Sequence, residues 1–398
     1  MANSHPVWQL AVPLRQDQIR GKHKRKLIDM SDADLLFDLT PTEEQQMTRE
    51  VVQRFAREEM AAAARPADEA AALPEGFLHK TVDLGLNFMP IPEALGGVGA
   101  GRSPISNVLN TEDLARGDMS MAIAALAPLA VINCVMDYGT DGQKELVSQV
   151  LAAASFIPAA MALMEPGIGF DARQLNTSAS QQTDGSFIID GAKSMVAFGP
   201  DAQLLLVFAD TGDAGTQGFL VRGDSAGISF EKEDYMGLRP LPLYAMTLDR
   251  VAAPASARLR DDFDLKRLVS LGKIATAALA VGTCQAVLDY VVPYVNERVA
   301  FGEPISNRQA VAFMVADMAT ELEGLRLMVY RAAAQAERGL DCTRMAFLAH
   351  RNAVRYGMKI GTDGVQLLGG HGFTREHPVE MWYRNLRALA TLDGMLLA

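Results

Sequence analysis

Cysteine is nearly missing from this chain: three in 398 residues, Cys134, Cys284 and Cys342. They stand far apart and at no metal-ligand spacing, so neither a disulfide framework nor a structural zinc site can be written from them. They read as buried thiols of a protein kept in a reducing cytoplasm. Positive charge is also in short supply. Lys and Arg number 37 against 48 Asp and Glu, a formal net charge of −11, which argues against general nucleic-acid binding because a phosphate backbone selects basic surfaces. Local Arg clusters can still take an anionic ligand. No apolar h-region follows the polar N-terminus, so no secretory signal is legible. The longest apolar run, residues 119–136, is about long enough to span a bilayer but is rich in Ala and carries Pro128 and Asn133; it is expected to be a buried helix, not a membrane span. Neither a G-x-x-x-x-G-K-[ST] loop nor a dinucleotide fingerprint is present, and the glycine-rich MPIPEALGGVGAG at 89–101 reads as a strand-like step followed by a turn.

What is there is an ordinary globular composition, 49% hydrophobic and 21% charged, long enough for two or three domains. Residues 1–38 form an extension whose basic cluster, Arg20, Lys22, Lys24, Arg25 and Lys26, precedes an acidic patch; a solvated or docking segment is expected. From residue 39 to about 155 the pattern is helical. Thr40 or Thr42 can cap a helix through EEQQMTREVVQRFAREEM, with Met47, Val51, Phe55 and Met60 at helical spacing. Further helices are expected at 76–86, 107–116, 119–136 and 141–154. Between 156 and 256 short β-rich runs alternate with polar turns, and Asp184-Gly185 and Asp190-Gly191 are turn signals; a small β-barrel or sandwich is expected. From 257 to 398 three long amphipathic helices, at 265–298, 307–338 and 343–368, and a shorter terminal helix have the composition of a four-helix bundle. That terminal helix carries Arg384 and ends at Leu392-Asp393-Gly394. A carboxylate before a glycine at a helix end suits a general base, while the same Asp-Gly pair can simply stop a helix.

Three stretches settle between those readings: Glu165-Pro166-Gly167-x-Gly169-x-Asp171 entering the β region, Arg298-x-x-Phe301-Gly302 with Gln309 in the bundle, and Gln366-x-x-Gly369-Gly370 with Arg384 at the end. Together, in the order helical domain, β domain, helical bundle, they resemble the acyl-CoA dehydrogenases, flavoproteins that desaturate acyl-CoA thioesters. The resemblance runs from about Leu39 to Ala398.

The resemblance implies FAD as cofactor, an acyl-CoA substrate, and an electron-transfer flavoprotein as electron acceptor. It implies that Asp393, in the place of the Glu of a Glu-Gly-Thr motif, is the base, and that its own N–H polarises the thioester carbonyl. A carboxylate one methylene shorter than Glu falls about 1.5 Å short of the same point, a misplacement large enough to slow proton transfer. Some branches of the family place the base on the first bundle helix, where this chain has Lys266, a cation; the neighbouring Arg267 matches an arginine of the active-site wall. Each flavin is expected at a subunit interface of a homotetramer or dimer. The neighbour's half is represented by Arg298, Phe301, Gln309, Gln366 and the Gly369-Gly370 backbone. On the ring-holding side Met164 stands for a Thr, Met195-Val196-Ala197 for Trp-Ile-Thr, Phe170 for the serine that contacts acyl-CoA, and Met395 for the Thr of Glu-Gly-Thr. Two further readings stay open: a non-catalytic or weakly catalytic partner subunit in a heteromer with a sister dehydrogenase, and other flavin chemistry such as monooxygenation or nitroalkane oxidation.

Overall fold

The computed structural model describes residues 40–398 apart from residue 213; the extension expected over 1–38, with its basic cluster, lies outside the described residues. Thr42 opens the first helix with a capping box, its hydroxyl accepting from the Gln45 N–H while the Gln45 side chain accepts from the Thr42 N–H. The helix then runs further than the sequence pattern suggests. α1 (Glu43–Phe55) passes through a π turn, Ala56–Met60, into α2 (Ala61–Ala70). The extra residue lets Ala56 and Met60 face the core together, where a Cβ on Gly117 would lie 2.6 Å from the Ala56 carbonyl oxygen.

The next helix is shorter than expected: α3 spans Phe77–Val82, after which Gly85 turns to φ +68° and a 3₁₀ turn, Leu86–Phe88, follows. The strand-like step at 89–92 is not a strand, since Pro90 and Pro92 offer no N–H to a ladder. α4 (Pro104–Gly117) begins earlier than expected because Ser103 caps it and Pro104 takes its first turn. α5 (Met119–Tyr138), capped by Asp118, is the apolar run read as a buried helix, and it is buried along almost its whole length. α6 (Asp141–Leu151) completes this part.

Seven strands then form one sheet: β1 (Ala159–Ala162), β2 (Ser178–Gln181), β3 (Phe187–Ala197), β4 (Leu204–Asp210), β5 (Thr216–Arg222), β6 (Ile228–Glu233) and β7 (Leu243–Ala253). The order is β1-β4-β2-β3-β7-β6, with β5 on β4. Asp184-Gly185 makes the β2–β3 hairpin turn, Gly185 at φ +85°. Asp190-Gly191 does not turn the chain. It lies inside β3 as a bulge, with a register shift against β7 between Ile189 and Gly191.

The last part is the bundle of α7 (Leu265–Glu297), α8 (Gln309–Glu337), α9 (Thr343–Leu367) and α10 (Val379–Ala388). A short hairpin of β8 (Val299–Ala300) and β9 (Glu303–Pro304) joins α7 to α8. α7 is the spine of the molecule, packed on α4 on one side and on α8 and α9 on the other. Its small residues permit this: a Cβ on Gly282 would lie 2.1 Å from the Glu112 carbonyl oxygen on α4. The terminal helix stops sooner than expected, at Ala388. A 3₁₀ turn, Leu389–Thr391, follows, and Asp393 stands in irregular chain. Cys134, Cys284 and Cys342 are buried and unpaired.

Candidate active site

Three contacts hold the Leu392–Gly394 segment between the sheet and the bundle. The Thr276 hydroxyl of α7 donates to the Leu392 carbonyl at 3.4 Å, the Asp393 N–H points at the Met164 sulfur at 3.3 Å, and Gly394, at φ +69°, packs so closely on Leu163 that a Cβ would fall 2.5 Å from Leu163 Cδ2. The carboxylate is thus presented on a fixed loop with 31% of its side chain exposed. It faces Lys273 of α7, whose Nζ lies 3.2 Å from Asp393 Oδ1.

His350 of α9 stands in the same electrostatic cluster. Burial, and then the Lys273 charge, push its imidazole down to about 4 against the pull of Asp393, so it is neutral near pH 7. Its Nε2 is buried without a hydrogen-bond partner. Neither Lys273 nor His350 was picked out from sequence, although a lysine inside the apolar run LVSLGKIATAALAVG was a visible signal.

On the sheet side, Glu165 accepts hydrogen bonds from the backbone N–H groups of Asn176 and Thr177 and pairs with the fully buried Lys193 at 2.9 Å. Burial alone would raise the Glu165 carboxyl; the Thr177 bonds and the Lys193 charge hold it below its ordinary value instead. Desolvation brings Lys193 down to about 8. This pair fastens the loop after β1 to β3, and so places Met164, whose carbonyl accepts from the Ser194 N–H at 3.0 Å. Ala197 is buried near the end of β3, and Met195 and Phe198 are held at φ +56° and +65°. Phe170 is half-buried against the core at the end of an exposed turn through Gly167–Gly169.

The remaining predicted positions gather at the far end of α7. Arg298 caps its C-terminus, and the Ile305 N–H donates to the Arg298 carbonyl across the hairpin. Gln309 starts α8. The Tyr294 hydroxyl meets His371 Nδ1 at 3.0 Å, which draws the Gly369–Phe373 turn to the same place. Here Arg298, Gln309, Gln366, Gly369 and Gly370 are exposed, and Phe301 is 97% exposed. A Cβ added at Gly302, Gly369 or Gly370 would meet nothing within 4 Å. Lys273, beside Asp393, and Arg298 are 25 residues apart on α7, about 37 Å at the helical rise. The structure therefore sorts the predicted residues into two groups, Asp393, Met164, Ala197 and Phe170 on one side and the six bundle positions on the other.

Two landmark arginines are engaged in packing. Arg267 donates to the Ala336 carbonyl at the end of α8. Arg384 is locked to Asp68 on α2, to Glu380, and to the Met236 carbonyl. Lys266 is exposed and pairs with Asp341 at 3.0 Å.

Residues 42–154, 160–251 and 265–396 match, in turn, the N-terminal, middle and C-terminal domains of acyl-CoA dehydrogenases. The chain is 31% identical over 363 residues to an acyl-CoA dehydrogenase of Bacillus subtilis (strain 168), covering 89% of this chain and 95% of that one. It is 34% identical over 374 residues to a probable acyl-CoA dehydrogenase of Mycobacterium tuberculosis, covering 90% and 94%. Butyryl-CoA dehydrogenase from Megasphaera elsdenii superposes with a TM-score of 0.82 at 28% identity, over 90% of this chain and 96% of that one. A glutaryl-CoA dehydrogenase from Mycobacterium smegmatis in complex with FADH2 does so at 0.79 and 25%, over 92% and 93%. The chain belongs to the acyl-CoA dehydrogenase family of FAD-dependent oxidoreductases, which act on CH–CH groups.

Proposed function

We propose that the protein desaturates an acyl-CoA thioester between Cα and Cβ, with Asp393 as the base that takes the α-proton. The observation that carries this reading is the fixed loop at 392–394, which presents a half-buried carboxylate at the junction of sheet and bundle. The Asp393 N–H spends its hydrogen bond on a thioether, a weak acceptor that a thioester carbonyl can replace. That N–H then polarises the carbonyl and stabilises the charge that grows on its oxygen.

FAD supplies the acceptor for the β-hydride. Met164 and Ala197 would border its ring, and Phe170 and Arg267 would lie toward the substrate. Arg298 would pair with its pyrophosphate, Phe301 and Gln309 would pack and hydrogen-bond the adenosine portion, and Gln366 with Gly369-Gly370 would let the backbone approach. The open space over those glycines suits a group brought from outside the chain. Because the two groups of residues lie about 37 Å apart along α7, one flavin draws on Asp393 of one subunit and Arg298 of another. This supports a homotetramer or dimer, working in the cytoplasm and passing electrons to an electron-transfer flavoprotein. A flavoprotein of that kind from Acidaminococcus fermentans is the subject of one similar structure, with a TM-score of 0.80.

A second reading rests on the ring side, where Met164, Met195 and Ala197 offer no polar side-chain donor. There the chain is a weakly catalytic partner that lends its Arg298 surface to a sister dehydrogenase. Purified protein reconstituted with FAD distinguishes the two. One flavin per chain, bleached by an acyl-CoA thioester, is the expected result; a colourless protein that acts only on co-expression with a sister chain supports the second reading.

A further inference from the structure

The Asp393 carboxylate does not stand alone, and its companions are two residues of α7 and α9 to which the family resemblance gives no role. Lys273 projects from the N-terminal third of α7, with 20% of its side chain exposed, and its ammonium is 3.2 Å from Asp393 Oδ1. His350 adds a neutral imidazole from α9, and the Lys273 charge also reaches the Asp171 carboxylate on the loop after β1. Among the described residues no other cation is paired with Asp393.

We propose that Lys273 is the positioning residue of the proton-abstraction step. This rests on the reading of Asp393 as the base. With Oδ1 held by Lys273, Oδ2 is the oxygen left to meet the substrate, so a short carboxylate gains a defined direction in place of reach. In the step itself the Cα–H bond of the thioester breaks, the proton passes to Asp393, and the electron pair moves to the carbonyl oxygen as an enolate. Asp393 becomes neutral as the enolate becomes negative. The ammonium of Lys273 is paired with Asp393 Oδ1 before the step, and the net charge of the cluster does not change. A charge placed beforehand costs no reorganisation at the moment of reaction. His350, uncharged, adds no competing cation.

The experiment uses the FAD-reconstituted full chain, the variants Lys273→Met, Lys273→Arg and Asp393→Asn, and the double variant of Lys273→Met with Asp393→Asn. The probe is the straight-chain saturated acyl-CoA that bleaches the wild-type flavin fastest. Three readouts are taken: kcat and KM separately, exchange of the thioester α-hydrogen with D2O, and the midpoint of thermal unfolding. Lys273→Met is expected to slow exchange and kcat about a hundredfold with KM unchanged, and Lys273→Arg to recover most of the loss. In thermal unfolding the two single losses are expected to be non-additive in the double variant, as for an ion pair. If Lys273→Met exchanges the α-hydrogen at the wild-type rate, Lys273 has no part in the step even if the variant is less stable, and desaturation by Asp393 stands without it. If wild type neither exchanges nor bleaches with any thioester tried, the desaturase reading fails and this inference fails with it.

Discussion

Asp118 caps α5 through one oxygen, which accepts from the Met121 N–H at 2.8 Å, and buries the other, Oδ2, without a partner. Burial is the main reason its carboxyl is pushed up to about 6, with the nearby Asp68 charge adding to it. The folded chain thus binds this proton more tightly than the unfolded chain. The stability this contributes is complete below the unfolded value near 3.8 and is lost as the pH rises through about 6. The difference corresponds to on the order of 2–3 kcal/mol by the end of that window. Asp118→Asn keeps the cap and removes the titration, so unfolding midpoints measured between about pH 4 and pH 7 should fall less steeply for the variant than for wild type. At this scale the sequence was readable only where residues form a spaced motif. Asp393, Arg298 and Gln366 were visible that way. Lys273 and His350 belong to no spaced motif, because Lys273 meets Asp393 and His350 comes near it only through the packing of α7, α9 and the last loop; a lone lysine in an apolar run marks Lys273 without naming its partner. Arg384 was visible as a landmark, yet its guanidinium is spent on Asp68 and Glu380.

The loop at 392–394 is an element whose geometry depends on one glycine. Gly394 has φ +69°, and a Cβ there would lie 2.5 Å from Leu163 Cδ2 and 2.9 Å from Leu163 Cβ. Gly394→Ala should therefore destabilise the protein by about 1–3 kcal/mol through left-handed strain and overpacking. It should also move the Asp393 carboxylate, lowering kcat more than it raises KM; thermal unfolding with steady-state kinetics checks both. An unchanged kcat would mean that the loop does not set the position of the base. Elements with local signals were legible in advance: the Thr42 cap, the Asp184-Gly185 hairpin and the three long bundle helices. Asp190-Gly191 misled because the same dipeptide serves a bulge when β7 and Thr177 close over it; a Cβ on Gly191 would be 2.6 Å from Thr177 Cα. The π turn at Ala56–Met60 left no trace in the sequence because it answers to the close approach of Gly117 on another helix.

At the scale of the whole molecule the separation along α7 makes a quantitative demand. If each flavin is held by the ring side of one subunit and the Arg298 side of another, two differently damaged chains should repair one another. Asp393→Asn removes the base and leaves the exposed Arg298 surface whole. Arg298→Glu sets a negative charge against the pyrophosphate and leaves Asp393 whole, and since Arg298 is exposed at a helix end the change should not unfold the chain. Each variant alone should be nearly inactive. Co-expressed, a mixed pair contains one site built from the intact Asp393 of one chain and the intact Arg298 of the other, and one site damaged twice. With random pairing across a twofold interface, about a quarter of wild-type activity should return. Activity that stays at the level of the separate variants, in mixtures shown to contain both chains in one particle, would place Asp393 and Arg298 in the service of different ligands.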